Sequence, residues 1–138
     1  MNPTAALLTA VRSRLIADAG VIAELGASPP VFTTPPDTQG LPFITLDVAA
    51  ASAWDTNTWY GRRSLVDVHV WGELTTQAGG RAKVLAILTA GETALRTPLT
   101  LSGHANVLIR FENSRVMLEP DNSTVHGVST IRALTQEN

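Results

Sequence analysis

Three side chains in this sequence can exchange a proton near neutral pH: His69, His104 and His126. No two stand at a spacing such as His-x-x-x-His, so a metal site would have to be assembled entirely by the fold. Each reads as an ordinary surface or half-buried histidine. Asp47 and Asp67 each occupy one polar position in an alternating apolar–polar run. Paired across adjacent strands, they would bring two carboxylates together, as glycoside hydrolysis requires. His69 and Trp71 share the alternate positions of the second run. Asp47, Asp67, His69 and Trp71 are therefore the first candidates for a small enzymatic or ligand-binding site. The same positions suit a solvated sheet face or a subunit contact, and no pocket motif accompanies them. Gly79-Gly80-Arg81 lacks the Lys-Ser/Thr of a phosphate-binding loop, and neither a dinucleotide-binding glycine pattern nor a Gly-x-Ser-x-Gly elbow occurs. With no cysteine, a thiol nucleophile, a disulfide framework and an iron–sulfur site are excluded. The expectation is no catalytic, metal or cofactor site and no enzymatic activity.

The second chemical feature is adhesive. Trp54, Asp55, Thr56, Asn57, Thr58, Trp59, Tyr60, Arg62 and Arg63 fall in one segment, which holds two of the 3 Trp and the 1 Tyr of the chain. Trp, Tyr and Arg are the residues enriched in interface hot spots. The rings would either contact a neighbouring molecule or fold back as lids over the core. Arg62-Arg63 is a short basic pair in a chain of net charge −2, which is not the pattern of a basic nucleic-acid binder.

These residues need elements to hold them. Asn2 suits a helix N-cap and Pro3 the first helical position, with Leu8, Val11, Leu15 and Ala19 following at helical spacing until Gly20 breaks the run. Val21 to Leu25 adds a turn and Gly26 caps it. Proline-dense residues 28–42 form a loop with a short extended segment at Val31–Thr33. Residues 43–48 and 63–71 alternate with period two and predict strands, leaving residues 49–61 as a connection too long for a tight turn. Residues 81–96 predict a helix with Val84, Leu88, Gly91 and Leu95 on one stripe, flanked by Leu85 and Ile87. Gly91 would mark a close approach to the sheet, and Pro98 ends the helix. A strand from Val107 to Leu118, bulged near Asn113-Ser114, turns at Pro120–Ser123 and returns as Val125–Thr135. Asn122-Ser123-Thr124 fits a glycosylation sequon but reads as turn residues. The order predicts an α+β fold: a mostly antiparallel β-sheet with two main helices packed on one face, residues 1–138 forming one domain.

At 138 residues and 44% hydrophobic, the chain can build a core without staples. No apolar run reaches the roughly 20 residues of a membrane span, and Arg12, Arg14 and Asp18 interrupt any signal-peptide core, so the cytoplasm is the expected compartment. The charged fraction of 16% is low for a free-standing monomer and suggests a surface partly covered by something else.

Several segments carry a resemblance by their order: Leu41-Pro42-Phe43-Ile44-Thr45-Leu46, Trp54-Asp55-Thr56, Val68-His69-Val70-Trp71, Gly80-Arg81-Ala82-Lys83, Leu99 to His104, Phe111 to Val116, Pro120-Asp121 and His126 to Thr135. From the first helix to Thr135, the chain resembles a family of small tail-completion proteins of tailed bacteriophages, prophages and gene transfer agents. That family is similar to the tail terminators of long-tailed phages. The resemblance implies a structural virion protein at the tail/neck junction, assembled in the bacterial cytoplasm. It implies a homo-oligomer, a hexameric ring that caps the tail tube, stops its polymerisation and joins it to the head connector. The implied partners are further copies of the chain, the tail tube protein and a head–tail connector or stopper protein. DNA would pass through without sequence-specific binding, which a net acidic subunit suits, and no membrane is involved. The alternatives are a head–tail connector or stopper subunit of the neck, and a small α+β enzyme or ligand-binding domain using Asp47, Asp67 and His69.

Overall fold

A computed structural model describes residues 2–74 and 79–138. In chain order the elements are α1 (Pro3–Ala17), α2 (Ala19–Leu25), β1 (Val31–Phe32), β2 (Phe43–Ala53), β3 (Gly61–Glu73), α3 (Gly79–Ala94), β4 (His104–Leu118) and β5 (Thr124–Glu137). The strands form one sheet in the order β1-β2-β3-β5-β4. Among the described residues, only the β1–β2 pairing is parallel. This is the expected α+β architecture.

The first helix starts as its sequence dictates. The Asn2 carboxamide accepts hydrogen bonds from the Thr4 and Ala5 amides at 2.8 and 3.4 Å, and Pro3 occupies the first turn. The buried seam is Ala6, Leu7, Val11 and Leu15. It runs through Leu7 rather than the expected Leu8, which is only partly buried, and Ala19 is exposed. The break falls at Asp18, not Gly20. Asp18 adopts an extended conformation and its carboxylate accepts from the Val21 amide at 3.0 Å, so it closes α1 and caps α2 in one step. Gly26, at φ 97°, ends α2 as expected.

The main departure is in β2. The strand continues through Ala49–Ala53, and the expected connection shrinks to residues 54–60. This stretch has neither alternation nor β-propensity of its own. Its pairing with β3, from Ala50 opposite Leu65 to Ala53 opposite Arg62, makes it a strand, after a register shift between Val48 and Ala50. All five residues are exposed. The bulge expected near Asn113-Ser114 lies between Phe111 and Asn113, and a second falls between Asn106 and Leu108. The β4–β5 turn is held by the Asp121 carboxylate, which accepts from the Ser123 and Thr124 amides at 2.8 and 2.9 Å.

One face of the sheet is covered by α1 and α3. Val66, Val68 and Val70 of β3, Ile131 and Ala133 of β5, and Ile44 and Leu46 of β2 pack with Leu7, Val11, Leu15, Val84, Ile87, Leu88 and Leu95. The close approach of α3 to the sheet occurs at Gly72 and Gly127, not at Gly91. A Cβ on Gly72 or Gly127 would lie 2.6 Å from a Val84 methyl, whereas one on Gly91 would meet Leu15 at an ordinary 3.7 Å. Leu85, expected to flank the buried stripe, is 50% exposed. The Arg14 guanidinium closes the far end of α3, donating to the Ala94 and Pro98 carbonyl oxygens at 2.9 and 3.1 Å.

Candidate functional site

The face of the sheet away from α1 and α3 carries the polar alternate residues. Strand register places Phe43, Trp71, His126 and Met117 in one row across it, Thr45, His69, Val128 and Arg115 in the next, and Asp47, Asp67, Thr130 and Asn113 in the third. The chemical candidates therefore do meet. Asp47, Asp67 and His69 offer ligand atoms within 4.8 Å of one another. Within this group His69 Nε2 lies 3.2 Å from Asp47 Oδ2, and Thr130 Oγ1 donates to Asp67 Oδ1 at 2.6 Å. The cluster lies on an open face, with the Asp47 side chain 61% exposed. That is the geometry of a surface rather than of an enclosed reaction site.

Sequence reasoning missed two members of this cluster. His69 Nδ1 lies 2.8 Å from His126 Nε2, and His126 Nδ1 lies 2.8 Å from Glu119 Oε1. The result is a relay, Asp47–His69–His126–Glu119, drawn from β2, β3, β5 and the β4–β5 turn. Carboxylates only accept, so a proton on His69 Nε2 and one on His126 Nδ1 satisfy the two ends of the relay. Burial pushes the His126 imidazole below its ordinary value; the hydrogen bond to Glu119 works in the opposite direction, and His69 adds to the depression. The Trp71 ring stacks on His126 at 3.8 Å between centroids and 9° between planes, and its Nε1 donates to Thr45 Oγ1 at 3.0 Å. Only the cross-strand register joins these residues, and sequence spacing gives no sign of it.

The adhesive segment forms the tip of the β2–β3 hairpin. Trp54 and Trp59 pack edge to face at 5.1 Å. Neither belongs to the core cluster, so they cap the hairpin rather than the core. The turn is braced from within. The Trp54 amide donates to the Gly61 carbonyl oxygen at 2.9 Å, the Gly61 amide to Asp55 Oδ1 at 2.9 Å, and the Trp59 amide to Thr56 Oγ1 at 3.2 Å. Gly61 is required: a Cβ there would lie 2.4 Å from the Trp54 carbonyl oxygen and 2.7 Å from the Trp59 ring. Tyr60 projects outward, 68% exposed. Asn57, Thr58 and Arg63 are exposed, and Arg62 donates to Thr4 Oγ1 at 3.3 Å, tying the hairpin to the start of α1.

Comparisons with known proteins address the chain as a whole. The family model of tail completion protein gp17 matches residues 9–136. Among solved structures, a chain from the virion of a native gene transfer agent (GTA) particle superposes with a TM-score of 0.85 at 22% sequence identity, over 99% of this chain and 99% of that one. At that identity the likeness is one of fold. No curated protein sequence matches.

Proposed function

The chain belongs to the tail completion protein gp17 family, and from that premise we propose that it is a tail terminator: a homo-oligomeric ring that caps the tail tube, halts its growth and presents a joining surface to the head connector. The observation that carries this reading is the family match over residues 9–136, supported by a fold shared end to end with a chain of a gene transfer agent virion. The whole 138-residue chain acts as one unit in it. The ring is hexameric, its partners are the tube protein and a connector or stopper protein, and it works at the tail/neck junction after assembly in the bacterial cytoplasm. DNA passes through it without being read.

The surface suits assembly by its chemistry. Among the described residues, β1 pairs only with Ile44 and Thr45, so β2 from Leu46 to Ala53 presents an edge with no strand partner. β4 presents another, with Val107 and Phe111 46% and 50% exposed. Strand edges and apolar residues left open in this way are commonly covered by neighbours. The residues Trp54 to Arg63 form the subunit or tube contact. Loss of the gene tests the role: overlong or unfinished tails are expected. Complete free tails beside leaking heads would instead assign the chain to the connector.

A further inference from the structure

The two ends of the open sheet face differ in charge and shape. At the hairpin end stand the exposed Tyr60 and the cation Arg63. At the other end a depression of about 380 Å³ opens between Leu41, Phe43, Trp71 and Pro120. Its rim is acidic. Glu119 and Asp121 line it, and Glu73 stands beside it, opposite Thr124 in the register. Residues 116–131 contain no lysine or arginine, and Arg115 stands in the neighbouring row, opposite Val128.

We infer that the hairpin tip of one subunit docks into the aromatic depression of the next copy of the chain, with Tyr60 seated over Trp71 and Phe43 and with Arg63 facing Glu73. The inference rests on the ring reading above and names the contact that builds the ring. Self-docking is ruled out by distance, since Arg63 and Trp71 lie at opposite ends of β3, roughly 27 Å apart at the rise of an extended strand. A contact between unlike ends is heterologous, and heterologous contacts propagate head to tail until the rotation closes a ring. The tip arrives pre-organised by the Trp54–Trp59 pair and the Asp55 and Thr56 hydrogen bonds, so little order is lost on docking. A phenol entering an apolar depression, with opposite charges around its rim, is a usual pattern for an interface anchor.

Arg63 and Glu73 are both exposed, so reversing their charges leaves the core untouched. The test compares R63E, E73R, the double variant and an equimolar mixture of the two single variants by native mass spectrometry, with circular dichroism as the check on folding. Each single variant should assemble about tenfold or more weakly than the parent. The double variant should recover assembly, and the mixture should recover rings with an even number of subunits, the two variants alternating. Single variants that assemble like the parent, or a double variant that stays dissociated, would overturn this contact while leaving the ring reading intact. A parent chain that is monomeric both alone and with tail tubes would overturn the ring reading and this contact with it.

Discussion

The two faces of one sheet are built on opposite terms. The inward residues of β3 and β5 include Val66, Val68, Val70, Ile131 and Ala133, all nearly inaccessible and packed under the helices, and the inward Ser129 ties β5 to α3 by donating to Glu92 Oε1 at 2.8 Å. The outward residues of the same strands are Asp67, His69, Trp71, His126 and Thr130, held to one another by hydrogen bonds and ring stacking. Alternation along a strand makes this division possible, because a one-residue step moves a side chain from one face to the other. The difference shows where stability and assembly are lodged. The inward face can tolerate almost no change, since α3 rides on Gly72 and Gly127 with no space for a methyl. The outward face and the hairpin tip are organised without help from the core, so they are free to serve a partner.

The largest difference between the two faces is expected at α3. Leu88→Ala should destabilise the fold by about 2–5 kcal/mol in denaturant unfolding, whereas Leu85→Ala, on the same helix but exposed, should stay within about 0.5 kcal/mol. Equal losses would mean that the helix does not discriminate its faces. Gly127→Val should cost about 1–3 kcal/mol, because its Cβ would press on Val84 and Leu88 at 2.6 and 2.7 Å. Thermal unfolding measures it, and a neutral outcome would contradict the close approach. At the hairpin tip, Trp59→Ala should cost the monomer only about 0.5–1.5 kcal/mol, the worth of an edge-to-face pair, while sedimentation shows assembly weakened far more. Global unfolding of that variant would return the tryptophans to a core role.

The smallest effect is a slope against pH. The folded state holds His126 below the ordinary value of 6.5, chiefly by burial, so the unfolded chain binds the proton first. Stability is therefore complete above 6.5 and declines as the pH falls through that value toward the folded one. Unfolding midpoints measured from pH 8 to 5 should show this decline, and His126→Gln should flatten it. An unchanged slope would remove burial of His126 as its cause.

Much of the inward face was legible in the sequence, because packing leaves periodic marks. The alternation of Val66, Val68 and Val70 and the helical spacing of Val84, Leu88 and Leu95 located the core directly. What escaped depended on register. Ala49–Ala53 carries no strand pattern and is extended only because β3 pairs it. The close approach was assigned to Gly91, since a glycine inside a helix stands out, while Gly72 and Gly127 could be recognised only once Val84 was seen above both. The joining of His126 and Glu119 to His69 and Asp47 needed four segments brought side by side, and no local spacing encodes that. The tryptophan segment was visible as composition. Its two rings pair with each other at the hairpin tip, which composition alone left open.

The proposed ring would form at the end of a growing tail tube. Purified tube protein polymerising with and without the chain, imaged by negative-stain electron microscopy, tests it most directly. The tubes are expected to stop growing, each with a ring of density at one end. Tubes that elongate without limit while the chain remains unbound in solution would contradict it.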